Sequence, residues 1–327
     1  MMSTVMVTGA TGLVGANVCA LAIERGDEVV ALVRPGSDGR ELEELGVRLH
    51  PGDVTSAEDV RAAAEGAEVI VHSAAVLGSV YSSPDPAVHD AVNVGGMTNA
   101  LDAAEAGGAR LVAISTTAIL RPGSVLTERT PVSEPGPTDS NYTRTKRIAY
   151  LELQRRAARG LHAQAVFPGA IYGPSPVAQR ALDAAGQNVK IVRAIRGELP
   201  RYPAIIVGWV LARDVASRAL SAARVGEPGA AYLAMGDQHD SETFPEFLSL
   251  ACELAGVPHR VMAAPRIADD PTVLEEFGPF VYEAEIVKPV PIFDDSETRR
   301  ILGDSPTGVA EGLPRTVAWL RSVTSFA

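Results

Sequence analysis

Hydrophobic and polar positions follow two alternating rhythms along the first half of the chain. Short apolar runs such as Glu28–Val33 are typical of strands, and the segments between them repeat apolar residues with the period of a helix. Strands that alternate with helices indicate βαβ units, in which a parallel sheet is covered by helices on both faces. The pattern therefore predicts an α/β fold with a doubly wound parallel sheet. Its predicted strands are Thr4–Val7, Glu28–Val33, Arg48–Leu49, Val69–His72, Leu111–Ser115 and Ala163–Phe167, and its predicted helices are Val14–Arg25, Asp38–Leu45, Ala57–Glu65, Asp90–Glu105 and Tyr142–Arg159.

The pattern changes after Phe167, where prolines interrupt the chain and less regular segments follow. Two apolar stretches, Ala204–Leu220 and Ala231–Met235, are interpreted as a return to the sheet, and two further helices are predicted over Ser241–Ala255 and Thr307–Val323. We therefore expect a first domain of residues 1–175 to which 204–236 return, and a smaller second domain of residues 176–203 and 237–327.

Charge and hydropathy narrow the classes of partner. The chain carries 29 basic and 40 acidic residues, a net charge of −11, and an acidic surface repels the phosphate backbone of nucleic acids. No charged leader with an apolar segment precedes the first strand, and the longest apolar run, Ala204–Ala212, is too short to span a bilayer. We therefore expect a soluble, cytoplasmic protein that binds neither nucleic acid nor membrane.

Cysteine and histidine usage argues against a metal centre. The two cysteines, Cys19 and Cys252, are too few for a disulfide framework or a cysteine metal site, and the histidines lack metal-ligand spacing. His72 lies in an apolar strand and is interpreted as a core residue whose polar atoms are satisfied.

A glycine-rich turn, Thr8-Gly9-Ala10-Thr11-Gly12-Leu13-Val14-Gly15, joins the first predicted strand to the first helix. In that position Gly9 permits a tight turn, Gly12 lets a pyrophosphate approach the backbone, and Gly15 lets the helix pack closely on the sheet. The free N–H groups and dipole of the helix start favour an anion. The turn predicts a dinucleotide-binding, or Rossmann, first domain, although an ordinary strand–helix turn has the same location.

The end of the second strand bears on which dinucleotide binds. Sites for NAD place Asp or Glu here to accept the ribose 2′-hydroxyl, whereas this chain has Val33 followed by Arg34, with Ser37 close behind. A guanidinium can pair with a 2′-phosphate and stack on adenine. We therefore expect NADP rather than NAD, unless Arg34 is only a solvated charge at a strand end.

Tyr142 and Lys146 open the long helix that begins at Asn141-Tyr142-Thr143-Arg144-Thr145-Lys146. Residues four apart lie on one helical face, so the phenol and the ammonium can share a site. A nearby cation lowers the pKa of a phenol, which makes it a better acid–base group near neutral pH. The pair predicts acid–base chemistry beside a nicotinamide ribose; the alternative is a surface helical pair.

Three residues with hydroxyl side chains lie at the end of the fifth predicted strand, in the segment Ile114-Ser115-Thr116-Thr117-Ala118. The carboxyl ends of the strands line the ligand crevice of an open α/β sheet. Ser115, Thr116 and Thr117 are all candidates to bond a substrate carbonyl oxygen, and each could equally bond the backbone.

Taken together, these motifs resemble the extended short-chain dehydrogenase/reductase family, in its NAD-dependent epimerase/dehydratase-like branch. The likeness covers nearly the whole chain. Besides the glycine turn and the Tyr142/Lys146 pair, it rests on Gly52-Asp53-Val54, His72-Ser73-Ala74-Ala75, Asn93-Val94-Gly95-Gly96, Pro168-Gly169, Tyr172-Gly173-Pro174, Arg299-Arg300-Ile301-Leu302-Gly303 and Glu311-Gly312-Leu313.

The resemblance implies roles for single residues. Tyr142 would donate or accept the proton, Lys146 would activate it and bind the ribose, and Thr117 would be the catalytic hydroxyl. It also implies a homodimer formed through the Asp90–Glu105 and Tyr142–Arg159 helices. The cofactor would further meet Asp53 and Val54 at the adenine, Ala74 and Ala75 along the pyrophosphate, Asn93 from the neighbouring helix, and Pro168; alone, Asn93 would be interpreted as a helix cap or core polar group.

Two departures from the family narrow the chemistry. Thr117 is followed by Ala118-Ile119 rather than by the acidic pair of sugar dehydratases, and Pro168 replaces the Asn of many nucleotide-sugar epimerases. Pro168, together with Arg34, looks more like the dihydroflavonol-reductase and 3β-hydroxysteroid-dehydrogenase branches of the family. The leading hypothesis is hydride transfer between NADP(H) and a ketone, aldehyde or secondary alcohol; the alternatives are an NAD-dependent nucleotide-sugar epimerase and a non-catalytic NADP-sensing regulator.

Overall fold

A seven-stranded parallel sheet forms the centre of the protein. The computed structural model describes residues 3–77, 85–121, 123–136, 139–182, 186–236, 243–277 and 292–326. The strands are β1 Thr4–Thr8, β2 Glu28–Val33, β3 Arg48–Pro51, β4 Val69–His72, β5 Arg110–Ile114, β6 Val125–Leu126, β7 Ala163–Pro168, β8 Ala170–Tyr172, β9 Arg201–Tyr202, β10 Trp209–Leu211, β11 Ala231–Ala234, β12 Met262–Ala263 and β13 Ile292–Phe293. The central sheet has the order β3-β2-β1-β4-β5-β7-β11, and all its neighbours are parallel.

The predicted doubly wound sheet is confirmed. From β1 the chain winds outward through β2 and β3, then returns and winds the other way through β4, β5 and β7. The strand order therefore reverses between β1 and β4, and a crevice opens at the carboxyl ends of these two strands, where α/β proteins bind their ligands. The candidate functional site is therefore expected in this crevice.

Helices cover both faces of the sheet because the strands are apolar on both sides. In β1, Val5 and Val7 point into one buried cluster with the first helix, and Met6 points into the opposite cluster. The helices are α1 Leu13–Glu24, α2 Arg40–Glu44, α3 Ala57–Ala63, α4 Pro86–His89, α5 Gly96–Gly107, α6 Asn141–Ala157, α7 Ala178–Ala181, α8 Gln187–Ile195, α9 Ala212–Val225, α10 Phe244–Leu254, α11 Thr272–Phe277, α12 Ser296–Leu302 and α13 Val309–Val323.

One predicted helix differs from the structure in a way that bears on the site. The segment predicted as a regular helix over Asp90–Glu105 starts as a wider π-helical turn, Asp90–Gly95, and becomes α-helical only at Gly96. The apolar periodicity could not reveal this, because a single wide turn rotates the following residues without removing the apolar face. The turn rotates Asn93 into the interior, where the side chain is 2% exposed.

A third buried cluster lies away from the central sheet, among α8, α10, α13 and the short strands of the second half. Its aromatic centre includes Trp209 and Phe247, whose rings stack with centroids 3.6 Å apart. Among the described residues no helix has the length and apolar character needed to cross a membrane. No cluster of histidine, cysteine or carboxylate side chains in the described ranges is placed to hold a metal ion.

Candidate active site

The glycine turn brings the ends of β1 and β4 into direct backbone contact. Gly9 has a φ of +67°, and a β-carbon there would lie 2.6 Å from the amide nitrogen of Ala74. A β-carbon at Gly15 would lie 2.2 Å from the carbonyl oxygen of Gly9, so only glycine lets α1 begin this close to the turn. The first turn of α1 has no side-chain cap and no acidic residue. Its N–H groups therefore suit an anion such as a pyrophosphate.

Thr8 and His72 join the same two strands from within the core. The two residues are paired in register, and Nδ1 of His72 lies 2.9 Å from Oγ1 of Thr8, which also accepts a hydrogen bond from the Ala74 amide at 3.3 Å. Burial, together with the nearby charge of Lys146, lowers the pKa of His72 to about 3. His72 is thus a neutral, buried side chain with a polar partner, as predicted. Its partner Thr8, whose hydroxyl holds the strand ends together, was not recognised from the sequence.

The ends of β2 and β3 carry the residues expected near the adenosine. Val33 pairs with Pro51, so Arg34 and Asp53 follow neighbouring strand ends. Arg34 is exposed and forms no ion pair with any described residue. The carboxylate of Asp53 accepts hydrogen bonds from the amide and hydroxyl of Thr55, at 2.9 and 2.7 Å, which fixes the turn.

Helix α6 presents Tyr142 and Lys146 one turn apart at the end of β5. The hydroxyl of Ser140 caps the helix by accepting a hydrogen bond from the Thr143 amide. Lys146 is only 6% exposed, and its Nζ donates a 2.6 Å hydrogen bond to the carbonyl oxygen of Ile114, the last residue of β5. Burial lowers the pKa of the Lys146 ammonium to about 8.

The phenol of Tyr142 has an electrostatic environment other than the one expected. Burial raises the pKa of Tyr142 to about 12, and a hydrogen bond with the Thr116 side chain opposes the rise. The predicted lowering by Lys146 was wrong for this structure, in which the ammonium is bonded to the Ile114 carbonyl. The phenol is therefore fully protonated near neutral pH, which makes it an acid rather than a base.

The three hydroxyls after β5 occupy three different environments. Ser115 is 7% exposed, and its Oγ has no hydrogen-bond partner among the described residues. Thr116 is half-buried, and its Oγ1 accepts a hydrogen bond from the Ala118 amide at 3.2 Å. Thr117 donates its hydroxyl to the carbonyl oxygen of Pro168 at 3.3 Å. Thr117 thus ties the segment after β5 to the end of β7.

Asn93 connects the loop after β4 to helix α6. Its Oδ1 accepts the Val76 amide at 2.7 Å, and its Nδ2 donates to the Val76 carbonyl at 3.2 Å and to Oγ1 of Thr145 at 2.9 Å. Thr145 lies between the two candidate catalytic residues in sequence, and Ala74 and Ala75 directly precede Val76. Asn93 therefore ties the segment after β4 to helix α6, an arrangement compatible with the supporting position that the resemblance implied.

Arg147 anchors the segment that leads into α6, a function that sequence reasoning missed. Its guanidinium is 3% exposed, forms an ion pair with Asp139 and donates to the Ser133 hydroxyl at 2.9 Å. The contact holds the chain immediately before the helix cap. The only sequence signal was an arginine directly after Lys146, and such an arginine on a helix is more often solvated.

Comparisons with known proteins give a consistent picture. A sequence profile of the NAD dependent epimerase/dehydratase family matches residues 5–232. Sterol demethylase protein B from Methylococcus capsulatus is 31% identical over 97% of this chain and 98% of its own length. A 3-beta-hydroxysteroid dehydrogenase from Mycolicibacterium neoaurum is 30% identical, over 52% of this chain and 48% of that protein. The crystal structure of gox2253 superposes with a TM-score of 0.83 and 26% identity, covering 98% of both chains.

Proposed function

The chain belongs to the NAD dependent epimerase/dehydratase family, and from that membership we propose that it is an NADP(H)-dependent oxidoreductase. It would transfer a hydride between the nicotinamide and a ketone, an aldehyde or a secondary alcohol. The observation that carries the proposal is the placement of Tyr142 and Lys146 at the end of β5. There, Lys146 bonds the last carbonyl of the strand at 2.6 Å, at the sheet edge where the glycine turn also lies.

The residues at this edge fit a dinucleotide. The turn from Gly9 to Gly15 and the uncapped start of α1 would hold the pyrophosphate. Arg34 would pair with the 2′-phosphate, and Lys146 would bind the nicotinamide ribose with the N–H donors that remain after its bond to Ile114. When bound, the nicotinamide supplies or takes the hydride. Further contacts are proposed for Thr11, Leu13, Val14, Asp53, Val54, Ala74, Ala75 and Pro168, with Asn93 as their support.

Proton transfer is proposed for Tyr142. In the reduction direction the substrate oxygen takes the phenolic proton as the carbonyl carbon is reduced, and the phenolate remains on Tyr142. Because burial raises the pKa of the phenol to about 12, Tyr142 is protonated and competent as an acid at neutral pH. Alcohol oxidation needs the phenolate and is therefore expected to require a higher pH than reduction.

An apolar substrate is proposed for two reasons. Met235 and Phe293 pack on Gly208, where a β-carbon would lie 2.3 Å from the Met235 sulfur, and the Gly208 carbonyl touches Gly169 at the end of β7. The segment that follows Pro168 is therefore packed against apolar side chains. In addition, the names of the two relatives above refer to sterols and steroids. Both observations favour a hydrophobic ketone or alcohol over a nucleotide sugar.

A substrate panel tests the proposal. Purified protein is given steroid, long-chain and small ketones and the corresponding alcohols, and NADPH and NADH absorbance are followed side by side. We expect oxidation of NADPH with hydrophobic ketones and a slower reaction with NADH. Tightly bound NAD together with conversion of a nucleotide sugar without added cofactor would establish the epimerase instead. Binding of NADPH with no turnover of any carbonyl or alcohol would favour the sensing regulator.

A further inference from the structure

The segment Gly173-Pro174 links two buried clusters of the protein. Tyr172, which ends β8, packs in the third buried cluster, and Val177 packs in the cluster shared by β1 and α1. The chain therefore passes from one cluster to the other between residues 172 and 177. Contacts that fix this segment also fix the third cluster relative to α1.

Helix α8 holds Gly173 through the side chain of Asn188, the second residue of the helix. Asn188 is fully buried; its Oδ1 accepts a hydrogen bond from the Gly173 amide at 3.0 Å, and its Nδ2 donates to the Gly173 carbonyl oxygen at 2.9 Å. One side-chain amide thus satisfies both backbone polar groups of one residue. Gly173 has a φ of +123°, a conformation that glycine adopts at little cost.

Helix α1 holds the next residue, Pro174. Asn17 is 5% exposed, and its Nδ2 donates to the Pro174 carbonyl oxygen at 3.0 Å and to the Leu13 carbonyl oxygen, one turn back in α1, at 2.9 Å. Since a helix rises about 1.5 Å per residue, Asn17 lies about 6 Å from the start of α1. Pro174 is therefore fixed close to the glycine turn, beside the part of the crevice proposed for the pyrophosphate.

Helix α8 belongs to the third cluster, so its position sets the position of apolar side chains there. Ile191, Val192 and Ile195 of this helix are buried in that cluster. Because buried side chains are closely packed, a shift of the helix displaces the side chains packed on it. The chain reaches the bond with Asn188 only five residues after Pro168, which is proposed to contact the cofactor.

We propose that Asn188 is a positioning residue for the substrate, an inference that rests on the proposed oxidoreductase function. Through Gly173 and Pro174 it holds α8, with the apolar cluster behind the helix, in a fixed place relative to α1 and the dinucleotide. An apolar ketone then meets a wall that is set in place before binding, so less free energy is lost on ordering that wall. Asn188 acts on the substrate through the position of α8.

Three variants test this role. Asn188→Leu removes both hydrogen bonds to Gly173 at similar side-chain volume, and Asn188→Ala leaves room for water to bond the Gly173 backbone if the leucine variant does not fold. Thr316→Val is the matched control. It removes a fully buried hydroxyl of α13, which packs in the same cluster, and this hydroxyl bonds the Gly312 carbonyl within its own helix.

Steady-state kinetics with a hydrophobic ketone separate positioning from loss of folded protein. A shift of α8 raises KM for the ketone, whereas a fraction of unfolded enzyme lowers kcat and leaves KM unchanged. We expect KM to rise about 10-fold in Asn188→Leu and Asn188→Ala, and the dissociation constant for NADPH to change less than about twofold. A wild-type KM in both Asn188 variants, or an equal rise in Thr316→Val, would overturn the proposal.

Hydrogen exchange tests the role of Asn188 without turnover. If the wild-type protein reduces no ketone, the proposed function fails, and the hold of Asn188 on α8 is measured in the peptide Gln187–Ile195. Exchange about 10-fold faster in this peptide of the Asn188 variants, with unchanged exchange in α10, Phe244–Leu254, supports the positioning role. Wild-type exchange in α8, or equal acceleration in α8 and α10, overturns it.

Discussion

The Nζ atom of Lys146 donates a hydrogen bond to the carbonyl oxygen of Ile114 over 2.6 Å. The bond joins helix α6 to the last residue of β5, and Ile114 is itself paired with Val166 of β7. The ammonium is therefore fixed to the sheet at the point where the crevice begins. Since one of its three protons is used by Ile114, two remain for a ribose. The bond to the sheet edge is therefore compatible with the proposed binding of the ribose by Lys146.

Tyr142→Phe removes the proposed acid and little else. We expect kcat for ketone reduction to fall about 10²–10⁴-fold, the usual contribution of a general acid, while the dissociation constant for NADPH changes less than about twofold. Steady-state kinetics and fluorescence titration measure the two quantities. Tyr232→Phe is the matched control, because the phenol of Tyr232, which lies on β11, accepts a hydrogen bond from the Glu227 amide away from the candidate site. Wild-type turnover in Tyr142→Phe would refute the proposed mechanism.

Arg34→Asp tests the cofactor preference. A carboxylate at this strand end repels a 2′-phosphate and accepts a ribose hydroxyl, so the ratio of kcat/KM for NADPH over NADH should fall about 10–100-fold. Arg48→Asp is the control, since Arg48 is exposed at the start of β3, away from the carboxyl ends. If the ratio is the same in Arg34→Asp and the wild type, Arg34 is only a solvated charge.

Gly15→Ala should be far more harmful than an alanine at another helical glycine. Its β-carbon would lie 2.2 Å from the Gly9 carbonyl oxygen, so α1 or the turn has to move, whereas a β-carbon at Gly107 meets nothing within 4 Å. We expect Gly15→Ala to lower the free energy of unfolding by about 1–3 kcal/mol and to weaken NADPH binding. Gly107→Ala should raise stability by about 0.5–1 kcal/mol. Urea unfolding compares them, and equal stabilities would contradict the packing described.

His72 makes stability depend on pH in the acid range. Its pKa falls from 6.5 to about 3 on folding, so the unfolded chain binds the extra proton between these values. The stability that neutral His72 contributes to the fold is present in full above pH 6.5 and is lost as the pH falls towards 3. We expect the wild-type advantage over His72→Gln to shrink by several kcal/mol, on the order of 1.4 kcal/mol per pKa unit. Urea unfolding at several pH values measures the free energy of unfolding of both proteins. A difference between the two proteins that stays the same at every pH would contradict the prediction.

Local patterns predicted the sheet and the placement of Tyr142 and Lys146 on one helix. Strand β2 was predicted with its observed ends, Glu28–Val33, because six mostly apolar residues between turn signals leave little freedom of register. The four-residue spacing of Tyr142 and Lys146 needed only helical geometry, and the structure has them on one helix. Both correct predictions depended on interactions between residues that are close together in the sequence.

Features that depend on distant contacts could not be predicted from the sequence. The partner of Lys146 is a strand carbonyl 32 positions away, and the hydroxyl of Thr117 bonds Pro168, on a strand from elsewhere in the chain. The predicted lowering of the Tyr142 pKa was wrong for the same reason. The sign of its shift depends on burial, which no spacing rule measures.

The amide of Asn93 couples two parts of the chain that are distant in sequence. It bonds both backbone groups of Val76 and the hydroxyl of Thr145, so the segment after β4 and helix α6 share one set of hydrogen bonds. A displacement of Val76 therefore acts through one side chain on the helix that carries Tyr142.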